Sequence, residues 1–173
     1  MSELGAFNLM EWIDNNRDML KPPLGATRLL PQGDFLVMAI GGPNVRTDFH
    51  DNPFDEIFYQ VEGDIALRVI DDAQQRDIPI REGEMFFLPA HVRHSPQRPA
   101  GTVGVVVERM RKEGDLEAFE WYCDKCKALV HRREFQLRDI KTDLVPVFEE
   151  YYGNPSLRSC PECEHQNPGK PGN

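Results

Sequence analysis

Cysteine is absent from the first 122 residues of this 173-residue chain, and only four cysteines occur in all. The body of the chain must therefore fold without disulfides, which its length allows, since a chain of this size can bury a self-sufficient hydrophobic core. Two large independent domains are not expected; one domain plus a small appendage is. Positive charge is also scarce. The 20 Lys and Arg stand against 29 Asp and Glu, a net charge of −9. That balance repels a phosphate backbone or an anionic membrane surface, so no nucleic-acid partner is expected. No run approaches the roughly 20 apolar residues that cross a bilayer. The acidic, polar start MSELGAFNLMEW has neither the basic residues nor the apolar stretch of a secretion signal. A cytoplasmic protein without a membrane partner is the expectation.

The residues that are present read as a mainly β protein. Phe7, Met10, Trp12 and Ile13 precede a polar stretch closed by Leu20-Lys21-Pro22-Pro23, which predicts a short N-terminal helix ended by proline. From about Phe35 to Arg109, short β-type runs (FLVMAI, VRTDFH, EIFYQV, IALRVI, MFFLP, TVGVVVER) alternate with turn residues such as Glu62-Gly63-Asp64. Many short strands at this spacing predict an antiparallel sandwich or barrel. The composition then turns charged at MRKEGDLEAFE, which places a boundary near residue 114 and divides the chain into 1–114 and 115–173. The segment DLVPVFEEYYG reads as a short helix or turn carrying Val147, Phe148, Tyr151 and Tyr152, and HQNPGKPGN as a frayed tail.

Side chains two apart on a strand share a face. By that rule Arg46, Asp48 and His50 go together, as do Glu56, Phe58 and Gln60; His94, Pro96 and Arg98; and Gly104, Val106 and Glu108. If these faces turn inward, two histidines, three carboxylates and two arginines enter the interior. Such burial is costly for stability alone and is explained by a metal and an anionic ligand. His50 and Glu56, followed by Gly63, and then Gly83, Pro89, His91, His94 and Arg98, resemble the two motifs of the cupin superfamily, with Asp48 where that family has the first histidine of H-x-H. His50, Glu56 and His94 remain: two imidazoles and a carboxylate, the facial set suited to non-haem Fe(II) with open positions. His91 and Asp48 read as structural or supporting groups, and His131 and His165 as solvent-facing.

The strings GGPNVRTDFHDNPFDEIFYQVEGD, EGEMFFLPAHVRHSPQRP and VVERMR, with KPP near residue 21 and the tail WYCDKC and SCPEC, resemble the bacterial 3-hydroxyanthranilate 3,4-dioxygenase family over nearly the whole chain. The resemblance implies a cupin-type antiparallel β-barrel, or jelly roll. It implies a ring-cleaving enzyme that takes 3-hydroxyanthranilate and O2 to 2-amino-3-carboxymuconate semialdehyde, which closes to quinolinate, a precursor of NAD. It places the iron ligands on His50, Glu56 and His94 and the substrate-contacting groups on Arg46, Arg98 and Glu108, and it implies a homodimer. The chemistry asks for the same residue types. An ortho-aminophenol and O2 can share the three positions a facial triad leaves open. A planar arginine fork, of Arg98 or Arg46, suits the ring carboxylate.

Cys123-x-x-Cys126 and Cys160-x-x-Cys163 offer four thiolates at two tight corners, the ligand set of a closed tetrahedral metal site. The resemblance implies a rubredoxin-like iron centre; thiolate tetrahedra also take zinc. With no position open for substrate, a structural staple is the expected role. Two rival functions are weighed by chemistry. A cupin sensor or isomerase would need the same pocket but not Fe(II). A zinc ribbon for nucleic acid would need a basic, aromatic stripe that this acidic chain lacks.

Overall fold

The computed structural model describes residues 5–22, 25–30, 33–72 and 74–171, so Pro23 of the expected helix stop lies outside the described residues. Helix α1 (Leu9–Asn15) is capped by the Asn8 side chain, which accepts from the Glu11 amide at 3.1 Å, and a 3-10 turn at Arg17–Leu20 follows it. Strands β1 (Ala26–Arg28), β2 (Phe35–Gly41), β3 (Asp48–Asp51), β4 (Glu56–Glu62), β5 (Ile65–Asp71) and β6 (Gln74–Ile80) come next. They are followed by β7 (Met85–Leu88), β8 (Arg93–Gln97), β9 (Val103–Arg109), β10 (Leu116–Tyr122), β11 (Leu129–Gln136) and helix α2 (Ile140–Gly153).

The strands form two antiparallel sheets, one of five in the order β1-β2-β9-β4-β7 and one of six in the order β11-β10-β3-β8-β5-β6. Leu36, Met38, Phe58, Leu88 and Val106 from the first sheet pack on Ile65, Leu67, Val69 and Ile80 from the second. The fold is thus the mainly antiparallel, cupin-type jelly roll expected from the sequence. Among the described residues no ladder closes one sheet onto the other, so the barrel is a two-sheet sandwich. Alternation sets what faces inward: along β4, Glu56, Phe58 and Gln60 are buried while Ile57 and Tyr59 are exposed. The β4–β5 turn needs Gly63, whose φ of +64° suits glycine; a Cβ there would also lie 3.0 Å from the Thr102 methyl.

Two smaller clusters attach the helices. Ile13 and Leu20 pack on Ala39 and Val103, laying α1 on the outer face of the five-stranded sheet. Val147 and Tyr151 of α2 pack on Phe119 and Trp121 of β10, with Trp121 and Tyr151 stacked at 4.2 Å. The Tyr152 hydroxyl lies 2.7 Å from Thr47 Oγ1, which ties the end of α2 to the approach of β3. The polar residues Gln74, Gln75, Arg76 and Asp77 belong to β6, an exposed edge strand pairing with β5 along its whole length. Residues beyond 114 continue the large sheet: β10 pairs with β3 on one side and β11 on the other.

Candidate active site

His50 of β3 and His94 of β8 are directly paired across the six-stranded sheet, with ring centroids 5.1 Å apart. Glu56 opens β4 in the opposite sheet, where it pairs with Glu108 of β9. The inward parity of all four strands thus brings groups 44 residues apart in sequence into one interior cluster. Glu56 Oε1 lies 3.2 Å from His94 Nε2 and 3.7 Å from His50 Nδ1. One ligand atom from each of the three residues falls within 4.8 Å of the other two, so together they could hold a metal ion. The donor chemistry fits a divalent transition metal: two imidazoles and one carboxylate, with His94 Nδ1 committed to the Val92 carbonyl at 3.0 Å so that Nε2 is turned to the cluster. Burial alone would push the Glu56 carboxyl up; His94, His50 and the Asn52 amide outweigh it and hold the group down at about 2, fully ionised at neutral pH.

Glu108 is pushed above the usual carboxylate range by burial and by the charge of Glu56, against the opposing pull of Arg111. Asn52 Nδ2 donates to both acids, 2.8 Å to Glu56 Oε1 and 2.7 Å to Glu108 Oε2. Arg111, itself buried, places Nη2 2.9 Å from Glu108 and 2.8 Å from Glu117, and the Glu117 carboxylate is 2.5 Å from His50 Nε2.

The two arginines differ. Arg46 is ion-paired with the buried Asp48 and stands over the Phe119 ring at 5.5 Å. Asp48, at the position of a cupin histidine, thus serves an arginine and lies outside the metal cluster. Arg98 is 3 % exposed, and among the described residues no carboxylate pairs with it; its side chain reaches only Gln60 Oε1, at 3.4 Å. Burial, then the charge of Arg46, pushes it down to about 10. Gly104 makes room for it: a Cβ there would stand 2.9 Å from Arg98 Nη1 and 2.7 Å from Gln60 Oε1.

The four cysteines also converge, with Cys123 and Cys163 sulfurs 3.7 Å apart and Cys126 and Cys160 sulfurs 3.5 Å apart, and none is in a disulfide. The two C-x-x-C corners share one design. The amide four residues on donates back to the first cysteine carbonyl at 3.0 Å in each, from Lys127 and from Glu164, and both donors have positive φ. Asn167 braces the pair against the body, bonding the Asp124 amide, the Tyr122 carbonyl and the Tyr151 hydroxyl.

His91 meets Asp51 at 3.0 Å on the sheet face turned away from the cluster. His131, expected at the solvent, instead packs beside the stacked Trp121 and Tyr151 rings, 5.7 and 5.8 Å from their centres, because β11 sets it opposite Trp121. The sequence reading missed Asn52, Arg111 and Glu117. The signal for Glu117 is its parity with Phe119 and Trp121, obscured because LEAFEWY was read as a charged boundary and not as a strand. A cavity of about 670 Å³ is lined by Arg28, Leu36, Arg111, Lys112 and Arg138 and by none of His50, Glu56 and His94.

A protein-family model described as 3-hydroxyanthranilic acid dioxygenase matches residues 1–152. The chain is 50 % identical over 171 residues to the 3-hydroxyanthranilate 3,4-dioxygenase of Shewanella woodyi, covering 98 % of this chain and 90 % of that one. It is 49 % identical over 173 residues to that of Brucella anthropi, covering 98 % and 95 %. Among solved structures, the protein NMB1881 of Neisseria meningitidis is 22 % identical over 61 % of this chain and 100 % of that chain, with a TM-score of 0.49.

Proposed function

The chain belongs to the 3-hydroxyanthranilic acid dioxygenase family and is a dioxygenase, and from that premise we propose that it cleaves 3-hydroxyanthranilate with Fe(II) held by His50, Glu56 and His94. The observation that carries the reading is the buried three-ligand cluster, and it is supported by Arg98, a buried cation without a carboxylate partner among the described residues. Bound there, Fe(II) supplies a redox-active Lewis acid at which an aminophenol and O2 can meet. Arg98 binds the ring carboxylate, the anion its burial calls for. Arg46, held by Asp48, adds positive potential. Glu108, its carboxyl shifted toward neutrality, accepts or holds the proton of the substrate hydroxyl or amine. The product is 2-amino-3-carboxymuconate semialdehyde, the feed for quinolinate and NAD, and the reaction takes place in the cytoplasm.

Loaded anaerobically with Fe(II) and then given 3-hydroxyanthranilate in air, the protein is expected to consume O2 and produce the near-ultraviolet absorbance of the ring-opened semialdehyde. Turnover that is equal with Zn(II), or no O2 uptake with Fe(II), would favour the sensor or isomerase reading. We propose further that the enzyme is a homodimer, since the outer face of the five-stranded sheet leaves Phe35, Met85 and Phe87 exposed at 61, 68 and 58 %. Sedimentation equilibrium of the same sample should give twice the mass of one chain, and a monomer at micromolar concentration would refute the pairing.

The four thiolates are proposed to hold a second metal, iron or zinc, as a structural staple for residues 115–173. Cys160→Ser is expected to lower the melting temperature by several degrees while leaving the rate per iron-loaded molecule within about twofold of wild type. A variant that folds normally, keeps its iron at His50, Glu56 and His94, and cannot turn over would overturn the structural role.

A further inference from the structure

Around the cluster the side chains form a closed ring. It runs from His50 Nε2 to Glu117 at 2.5 Å, from Glu117 to Arg111 at 2.8 Å, and from Arg111 to Glu108 at 2.9 Å. Asn52 then links Glu108 to Glu56 at 2.7 and 2.8 Å, and Glu56 faces His50 Nδ1 at 3.7 Å. We propose that Glu117 is the positioning residue for His50: it accepts the Nε2 proton, which leaves the Nδ1 lone pair for the ion, and through Arg111 it ties that orientation to Glu108. The proposal rests on the reading of His50, Glu56 and His94 as the ligands.

Three observations support it. The far nitrogens of the two histidines are held differently, His94 Nδ1 at 3.0 Å from a neutral backbone carbonyl and His50 Nε2 at 2.5 Å from a carboxylate, so only the His50 ring is oriented by a charged side chain. Glu117 Oε2 takes both His50 and Arg111, while Glu117 Oε1 is buried without a hydrogen-bond partner. A carboxylate serving stability alone would spread its bonds over both oxygens, because a buried unpaired oxygen is destabilising. Finally, Glu117 shares its strand with Glu120, an equally buried acid that points to the opposite face and pairs with Arg132, Arg93 and the Tyr122 hydroxyl. One strand thus carries both the acid in question and its internal control.

The test compares Glu117→Gln, Glu117→Ala and Glu120→Gln with wild type, using Fe(II) for affinity and Co(II) for ligand-field absorption. Both Glu117 variants are expected to bind Fe(II) about 10- to 100-fold more weakly and to shift the Co(II) bands. Glu120→Gln is expected to lower the melting temperature with neither effect. Glu117→Gln is isosteric and keeps the readout available if the alanine variant does not fold. Wild-type Fe(II) affinity and Co(II) spectrum in Glu117→Gln, with His50→Ala losing the ion, would leave Glu117 a structural acid and overturn the proposal. An ion retained in His50→Ala would instead overturn the ligand reading, and the proposal with it.

Discussion

Replacing His94 by alanine is expected to abolish turnover and strip the cluster of its ion while leaving a folded protein. The ring is 2 % exposed and is one of the three proposed ligands, so its loss removes a third of the donor set. A loss of at least about a thousandfold in kcat/KM corresponds to about 4 kcal/mol of transition-state stabilisation. The fold survives because the main apolar cluster, from Leu36 and Met38 through Phe58, Leu67 and Val106, contains no metal ligand. The cavity left beside Phe58, whose ring stands 6.1 Å from that of His94, should cost a few degrees of melting temperature at most. Metal analysis beside circular dichroism checks both halves, and a His94→Ala protein that kept full activity would sink the assignment.

The second large effect separates the two arginines. If Arg98 grips the ring carboxylate, Arg98→Ala leaves a partly buried anion without its charge-assisted partner in the complex, a loss of about 2–5 kcal/mol, or tens- to thousands-fold in kcat/KM. In the free enzyme the sign reverses. A base whose folded value is lowered to about 10 carries an uncompensated charge at every pH below that. Removing it is therefore expected to leave the unliganded protein at least as stable. Arg46→Ala, by contrast, strands the buried Asp48 and should destabilise the fold. Wild-type enzyme offered 2-aminophenol, which keeps both chelating atoms but lacks the carboxylate, should be handicapped severely, and Arg98→Ala should suffer little further from the same truncation. Additive penalties in folded, iron-loaded protein would show that Arg98 does not read the carboxylate.

The sequence made the interior of the sandwich legible because strand parity is a rigid rule. Once His50, Glu56 and His94 lie on inward faces, the ladders bring them together, and Glu108 follows on β9, while Arg46 and Arg98 lie just outside β3 and β8. What was not legible depended on polar strands. β6 carries only edge-strand polarity, and β10 hides Glu117 and Glu120 on opposite faces of one buried, charged run. Asn52 and Arg111 lie outside the strands altogether, and local spacing says nothing of where a loop side chain ends. The distinct partners of Arg46 and Arg98 likewise needed coordinates, since both are arginines two or four residues from a histidine or aspartate.

The six-stranded sheet has a seam. Strands β11, β10 and β3 are joined by ladders of four or more pairs, as are β8, β5 and β6, yet β3 and β8 are in register at the one pair His50 and His94. A slip of one residue along that seam would turn His94 to the outer face. The two halves of the sheet are thus joined at the residues that would grip the ion, with Glu56 reaching over from the other sheet. An ion seated there would act as a rivet across the two half-sheets, added to the one backbone pair between them. The half that bears the cysteine tail would then be joined to the other half through the proposed ligands as well as through its backbone.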